Sequence, residues 1–283
     1  MMTRVAYQGT AGAYSHLACA RMFPNGEYLA CDDFVGALEL VSNGFADRAM
    51  IPLENSTAGR VEEIYRLIPA TKLYAIAEHF EPVNHCLLVK PGVTLGSIKE
   101  VRSHPQALAQ CHQRLINLGI RPAAAVDTAL SAKLLAESSD SSVGAIASEL
   151  AAELYGLDIA HENFQDVTGN TTRFLVFSQT QEHIQAIVGV KYITSLLFAV
   201  RNIPAALYKA LGGFATNGVN MIKLESYMDG GTMEASHFHV DIHGHPNEPA
   251  VANALEELQY FAREMRILGS YPAHSYRQRT DFV

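Results

Sequence analysis

The sequence predicts an α/β body over residues 1–178, followed by a smaller α+β unit of ferredoxin-like order, βαββαβ. Three observations carry this. Over the first 178 residues, short apolar runs alternate with helical stripes. Residues 179–190 are polar and lack a period, which marks a linker. Beyond them, runs and stripes return in the order strand, helix, strand, strand, helix, strand. A chain of 283 residues exceeds one typical core and suits two or three compact units.

The chain starts Met1-Met2-Thr3-Arg4-Val5-Ala6-Tyr7, straight into a strand. Gly9-Thr10-Ala11-Gly12-Ala13-Tyr14-Ser15 then precedes a helix. Glycines there let backbone N–H groups approach an anion at the helix N-terminus; equally, they form a tight turn capped by Ser15. The G-x-G-x-x-G dinucleotide fingerprint is absent. Asp33 precedes a stripe of Phe34, Ala37, Leu38 and Val41, which Asn43-Gly44 ends. Val61, Ile64, Tyr65 and Ile68 repeat the stripe before Pro69. A helix opens at Pro105, buries Leu108, Cys111, Leu115 and Leu118, and stops at Gly119. Asp127 caps a helix through Leu134-Leu135. Strands fall at Ala49–Ile51, Cys86–Val89, Val143–Ala147 and Arg173–Phe177.

In the second unit Tyr192–Val200, Val219–Met228, Met233–His243 and Glu264–Gly269 read as strands, with Asp229-Gly230-Gly231 as a turn. Pro204–Thr216 is a helix burying Leu207, Leu211 and Phe214; Val251, Ala254, Leu255, Leu258 and Phe261 stripe another. Residues 276–283 form a loosely held tail. A ferredoxin-like unit often leaves a sheet edge free for a second copy.

Composition narrows the function. The chain is 48% hydrophobic and 18% charged, as globular proteins are. A net charge of -8 without a Lys/Arg block argues against nucleic acid. An anionic ligand must then be held by a few local donors. No signal-peptide h-region and no 18-residue apolar span is present, so no membrane role and a cytoplasmic location are expected. Cys19, Cys31, Cys86 and Cys111 lack CxxC spacing and read as reduced thiols.

Four segments carry candidate chemistry. Asn170-Thr171-Thr172-Arg173-Phe174 places hydroxyls and a guanidinium where a polar loop becomes the buried run Leu175-Val176-Phe177, which suits an oxygen-rich anion. Glu54-Asn55-Ser56-Thr57 sets four polar side chains directly after a strand. Ser103-His104-Pro105-Gln106 lies between a strand and a helix; His104 is an acid–base group or a cap, and Gln106 reaches out from the first turn. His237-Phe238-His239-Val240-Asp241-Ile242-His243 alternates, with Phe238, Val240 and Ile242 toward the core. Its polar face is a solvated or interface face; a metal is disfavoured because i and i+2 lie about 7 Å apart. No cofactor or metal is expected.

Together these segments resemble prephenate dehydratase with a C-terminal ACT regulatory domain. The resemblance runs from Tyr7-Gln8-Gly9 to Gly269-Ser270-Tyr271-Pro272 and rests on Gly9–Ser15, Pro52–Gly59, Ser103–Cys111 and Thr172-Arg173-Phe174 in register. It implies a two-lobed catalytic domain like the periplasmic binding proteins. Lobe 1 would hold about 1–80 and 160–178, and lobe 2 about 81–159. The chain would leave lobe 1 near Glu78–Asn84 and return near Ala160–Asp166. The implied reaction turns prephenate into phenylpyruvate with loss of water and carbon dioxide. Thr172 would assist departure of the ring hydroxyl, and Glu54 would feed a proton. Ser15, Asn55, Ser56, Thr57, Gln106, Arg173 and Phe174 would bind substrate. If the strand has begun by Thr172, alternation turns Arg173 opposite to Thr172 and Phe174, and Arg173 reaches substrate only if the strand starts later or its side chain curls back.

The ACT domain, residues 191–275, implies an L-phenylalanine effector held by Asn202, Ala205, Ala206, Leu207, Asn220, Glu225 and Ser226. The family's Gly-Ala-Leu reads Ala205-Ala206-Leu207 here, and its Glu-Ser-Arg-Pro reads Glu225-Ser226-Tyr227-Met228. Phenylalanine binding is still expected, with Asn220 before the second strand as in the family; a weakened or altered response is the alternative that these changes leave open. A homodimer or homotetramer is implied. Arogenate in place of prephenate is the first alternative, and a non-catalytic amino-acid sensor or solute binder the second.

Overall fold

The computed structural model describes residues 2–201, 203–228 and 235–278. Asn202, the Asp229-Gly230-Gly231 turn, the start of the strand expected from Met233 and the last five residues of the tail lie outside them. The chain divides into two compact units: Met1–Val61 with His79–Phe174, and Glu62–Glu78 with Leu175–Val283.

From the N-terminus run β1 (Arg4–Gln8), α1 (Tyr14–Met22), β2 (Glu27–Cys31), α2 (Phe34–Ser42), β3 (Arg48–Asn55), β4 (Gly59–Arg60), α3 (Ile64–Leu67) and β5 (Tyr74–Pro82). Next come β6 (Cys86–Val89), β7 (Glu100–Ser103), α4 (Pro105–Gln110), α5 (His112–Leu118), β8 (Arg121–Ala124), α6 (Thr128–Glu137), β9 (Val143–Ala147), α7 (Glu149–Tyr155), β10 (Asp158–His161) and β11 (Thr171–Ser178). One sheet has the order β2-β1-β3-β11-β5, with β4 paired to β3. A second, β10-β6-β9-β7-β8, is inserted between β5 and β11 in the chain. Both are mixed α/β sheets: β1 runs parallel to β2 and β3, whereas β6 runs antiparallel to β9 and β10. Fully buried runs such as Leu175-Val176-Phe177 and Ala145-Ile146-Ala147 explain why these strands lack alternation.

Local signals set most helix starts. Asp33 accepts from the Gly36 N–H at 2.7 Å, and Asp127 from the Leu130 N–H at 2.7 Å. The single helix expected from Pro105 is two. Cys111 leaves helical geometry at φ -115°, ψ 11°, and the stripe loses its phase there. Leu118, expected in the core, is 45% exposed as a result.

The second unit carries β12 (Tyr192–Val200), α8 (Ala206–Thr216), β13 (Met221–Met228), β14 (Ala235–His243), α9 (Pro249–Phe261) and β15 (Ala262–Pro272). Its sheet is antiparallel in the order β13-β14-β12-β15, the ferredoxin-like arrangement. Phe214 of α8 and Val251 and Leu258 of α9 pack with Phe198, Phe238, Val240 and Ile242 from the sheet.

The opposite face of β14, expected to be solvated or an interface, is covered at His239 and Asp241. His239 and Asp241 are buried, and His239 Nε2 lies 2.7 Å from Ser195 Oγ. Residues Glu62–Glu78 belong to this unit and meet this side of its sheet at three places. The Tyr65 ring sits 5.8 Å from His239, and Arg266 Nη2 donates to Leu73 O at 2.6 Å. A Cβ on Gly269 would meet Ala75 O at 1.8 Å, so only glycine permits that approach. The tail is also better held than expected at its start: Arg277 donates to both Glu78 carboxylate oxygens, at 2.7 and 2.8 Å.

Candidate active site

Asn55, the last residue of β3, organises the site. Its Oδ1 accepts from the Thr57 and Ala58 N–H groups at 3.0 and 2.9 Å, an Asx turn that bends the chain toward β4. Backbone N–H groups only donate, so the amide orientation is fixed. Asn55 Nδ2 therefore donates, to Asn170 Oδ1 at 2.7 Å and to Thr172 Oγ1 at 3.0 Å. With that bond accepted, the Thr172 hydroxyl keeps its own proton for another partner. Thr172 faces a cavity of about 340 Å³, lined also by Gln8, Tyr14, Asn55, His85, His104, Gln106, Gln110 and Asn170.

The opposite wall comes from α4. His104 caps that helix, its Nδ1 accepting from the Gln106 N–H at 3.2 Å, and it also lines the cavity. Gln106 lines the cavity as expected. The side chain that makes the hydrogen bonds is Gln110, one helical turn later, which sequence reasoning missed. Gln110 Nε2 donates to Thr57 Oγ1 at 3.1 Å, and its Oε1 accepts from Asn170 Nδ2 at 3.1 Å. The i, i+4 spacing from Gln106 is the signal that would have found it.

Other expected residues fall elsewhere. Ser56 stitches the loop to β11: its hydroxyl accepts from the Thr171 N–H at 3.0 Å, and its own N–H donates to Thr171 O at 2.9 Å. Arg173 points away from Thr172, as alternation requires. It is 3% exposed and its Nη1 lies 3.0 Å from Glu54 Oε1. Glu54, expected to feed a proton, is thus engaged by Arg173, and neither residue lines the cavity. Phe174 is packed in the core at 1% exposure. Ser15 does not line the cavity; its neighbour Tyr14 does. Nor does Ser15 cap α1, whose N-cap is Ala13.

The Gly9–Ser15 turn serves packing. A Cβ on Gly12 would meet Ala151 Cα of α7 at 2.9 Å. Gly12 O accepts from the Ser148 hydroxyl at 2.6 Å, and Ala11 O from the Tyr155 hydroxyl at 2.7 Å.

The polar lining of the cavity is amides, hydroxyls and imidazoles, with Asp127 as its carboxylate. Among the described residues its lining has no lysine or arginine. Burial holds His85 below its ordinary pKa and pushes Tyr14 well above its own. An anion there meets amide N–H groups, hydroxyls and imidazoles. Among the described residues no three His, Cys, Asp or Glu side chains gather as a metal site, and no helix is long and apolar enough to cross a membrane.

In the second unit, Ala205 sits left-handed at φ 61° just before α8, while Ala206 and Leu207 pack on the α8–α9 core. Glu225 pairs in register with His239, and exposed Ser226 with Phe238. Asn220 Nδ2 lies 3.4 Å from His243 Nδ1.

The model of the prephenate dehydratase family matches residues 5–182. Over 275 residues the chain is 45% identical to a bifunctional N-acyl-homoserine lactone acylase/prephenate dehydratase of Komagataeibacter europaeus, covering 97% of this chain and 98% of that one. It is 40% identical over 283 residues to the chloroplastic arogenate dehydratase/prephenate dehydratase 1 of Arabidopsis thaliana, covering 95% of this chain and 72% of that one. The structure of prephenate dehydratase from Arthrobacter aurescens in complex with L-Phe is similar at a TM-score of 0.86 and 29% identity, covering 96% of this chain and 90% of that one.

Proposed function

The chain belongs to the prephenate dehydratase family, and from that premise we propose that it is a lyase converting prephenate to phenylpyruvate, water and carbon dioxide in phenylalanine biosynthesis. The observation that carries this reading is the Asn55–Thr172 bond, which leaves the threonine hydroxyl as a donor facing the cavity. The ring hydroxyl is a poor leaving group, and a hydrogen bond from Thr172 stabilises the charge that grows on it. The ring carboxylate leaves as neutral carbon dioxide, which a pocket poorer in water than bulk favours. Aromatisation drives the step. Gln106 and Gln110 orient substrate, Thr57 holds the Gln110 amide from outside the cavity lining, and no cofactor is needed.

Residues 1–178 form the catalytic domain, with lobes of about 1–80 plus 160–178 and 81–159; the separate strand insertions of the two sheets support that division. Residues 179–190 link it to an ACT domain over 191–275, supported by the βαββαβ order and by the L-Phe complex of the Arthrobacter enzyme. L-Phenylalanine is the effector, at Ala205, Ala206, Leu207, Asn220, Glu225 and Ser226. The protein works in the cytoplasm as a homodimer or homotetramer.

Arogenate stays as a second reading, because curated relatives carry that name. An acyl-transfer site in the second unit has no such support: Ser195 and Asp241 both address His239 Nε2, at 2.7 and 3.3 Å, where a catalytic triad uses opposite nitrogens. The test is kcat/KM for prephenate against arogenate, followed by thermal denaturation with L-phenylalanine. Phenylpyruvate release and a raised Tm are expected. Binding of prephenate without turnover would leave a sensor instead.

A further inference from the structure

The hydrogen-bond chain that sets Thr172 continues to a buried imidazole, and its polarity can be followed bond by bond. Asn55 Nδ2 is a donor, so Asn170 presents Oδ1 to it and Nδ2 to Gln110 Oε1. That same Gln110 oxygen lies 2.8 Å from His85 Nε2, which must therefore carry a proton. His85 Nδ1 is the nitrogen left to change. It lies 2.8 Å from the Tyr14 hydroxyl oxygen, and that hydroxyl also lies 2.9 Å from Asn84 O.

One hydroxyl proton thus has two acceptors. With His85 neutral, it points to Nδ1. With Nδ1 protonated, the ring N–H donates to the tyrosine oxygen and the hydroxyl turns to Asn84 O. In either state His85 Nδ1 and the hydroxyl proton are both paired, so the usual cost of charging a buried histidine is reduced. The groups around this pair are few. Cys86 and Cys111 act on Tyr14, as do Glu81 and Glu149, and those two carboxylates are engaged by Arg21. Across the cavity stand His104 and Asp127, the latter holding the α6 cap.

Resting on the reading above, the substrate carries two carboxylates into a lining without lysine or arginine among the described residues. In the reaction, the ring–carboxylate bond breaks, its electron pair enters the ring, and hydroxide departs and takes one proton to become water. One proton is consumed per turnover. We propose that the dianionic substrate draws a proton onto His85 Nδ1 as the Tyr14 hydroxyl turns to Asn84 O, so that the site gains its positive charge only when occupied. His85 is then a charge-positioning residue whose state follows occupancy.

The probe is tetrahydroprephenate, whose saturated ring cannot aromatise. Calorimetry near pH 7.5 in buffers of different ionisation enthalpy reads proton uptake on binding. Uptake of about half to one proton per site is expected for the wild type, and about none for His85→Gln, whose amide can still donate to Gln110. In the unsubstituted protein, ring ¹⁵N shifts should show one protonated nitrogen on His85 when free and two when bound. Binding without uptake, equal uptake in His85→Gln, or an unchanged His85 signal overturns the proposal. If those results accompany normal phenylpyruvate formation, only this inference falls. If wild type neither turns over prephenate nor binds the probe, the dehydratase reading falls and takes this one with it.

Discussion

Thr172→Val tests the donor role most directly, because it removes one oxygen while keeping the branched shape. The structural loss is small. Thr172 is half-buried, and its oxygen accepts one bond, from Asn55 Nδ2 at 3.0 Å; that amide keeps Asn170 Oδ1 at 2.7 Å. One such bond is worth about 1 kcal/mol, which lowers Tm by about 2–4 °C in a protein of this size. The catalytic loss is larger. Removing a donor aimed at developing negative charge costs about 100- to 1000-fold in kcat, or about 2.7–4 kcal/mol. The expected result is therefore a large fall in kcat, little change in KM, and a Tm within a few degrees of wild type. Phenylpyruvate absorbance in base is the assay. A kcat within a few-fold of wild type would remove Thr172 from the mechanism. A Tm drop well beyond that range would show that the Asn55–Thr172 bond is chiefly structural.

Glu54→Gln separates the ion pair from the chemistry. It removes the charge facing the buried Arg173, costing about 1–3 kcal/mol in urea denaturation, while kcat stays within several-fold. A kcat loss as deep as that of Thr172→Val would restore Glu54 as proton source. Ala205→Gly relieves a left-handed alanine at φ 61° and should add about 0.5–1 kcal/mol; a lower Tm would contradict the backbone assignment. Acid should destabilise the protein below the unfolded histidine pKa. Burial holds His16 and His85 below their ordinary value, so the unfolded chain binds more protons, and stability is lost as pH falls from about 6.5 through their folded pKa. A urea midpoint as high near pH 5.5 as near pH 7.5 would refute this.

Much of the fold was legible because local chemistry writes it. Asp33 and Asp127 cap helices where the sequence places them, and alternation along β14 assigns Phe238, Val240 and Ile242 to the core. Alternation separates Thr172 from Arg173 once the strand is seen to start at Thr171. Gln106 was found because it follows a strand; Gln110 lies on the same helix face four residues on, but which distant groups that face meets is set only by the tertiary fold.

The sequence by itself determined the succession of elements, the strand-end position of Asn55 and Thr172, and the face each presents, because these depend on periodicity and on bonds within a few residues. Tertiary structure alone decided three things. It brought Gln110 to Thr57 and to His85, 53 and 25 positions away in the chain. It gave Glu54 to Arg173 and away from the cavity, a bond across |i−j|=119. It buried His239 and Asp241, and set the Tyr65 ring from a distant segment against His239. Each turns on what covers a side chain, and a polar residue reads the same in sequence whether water or a distant segment lies over it.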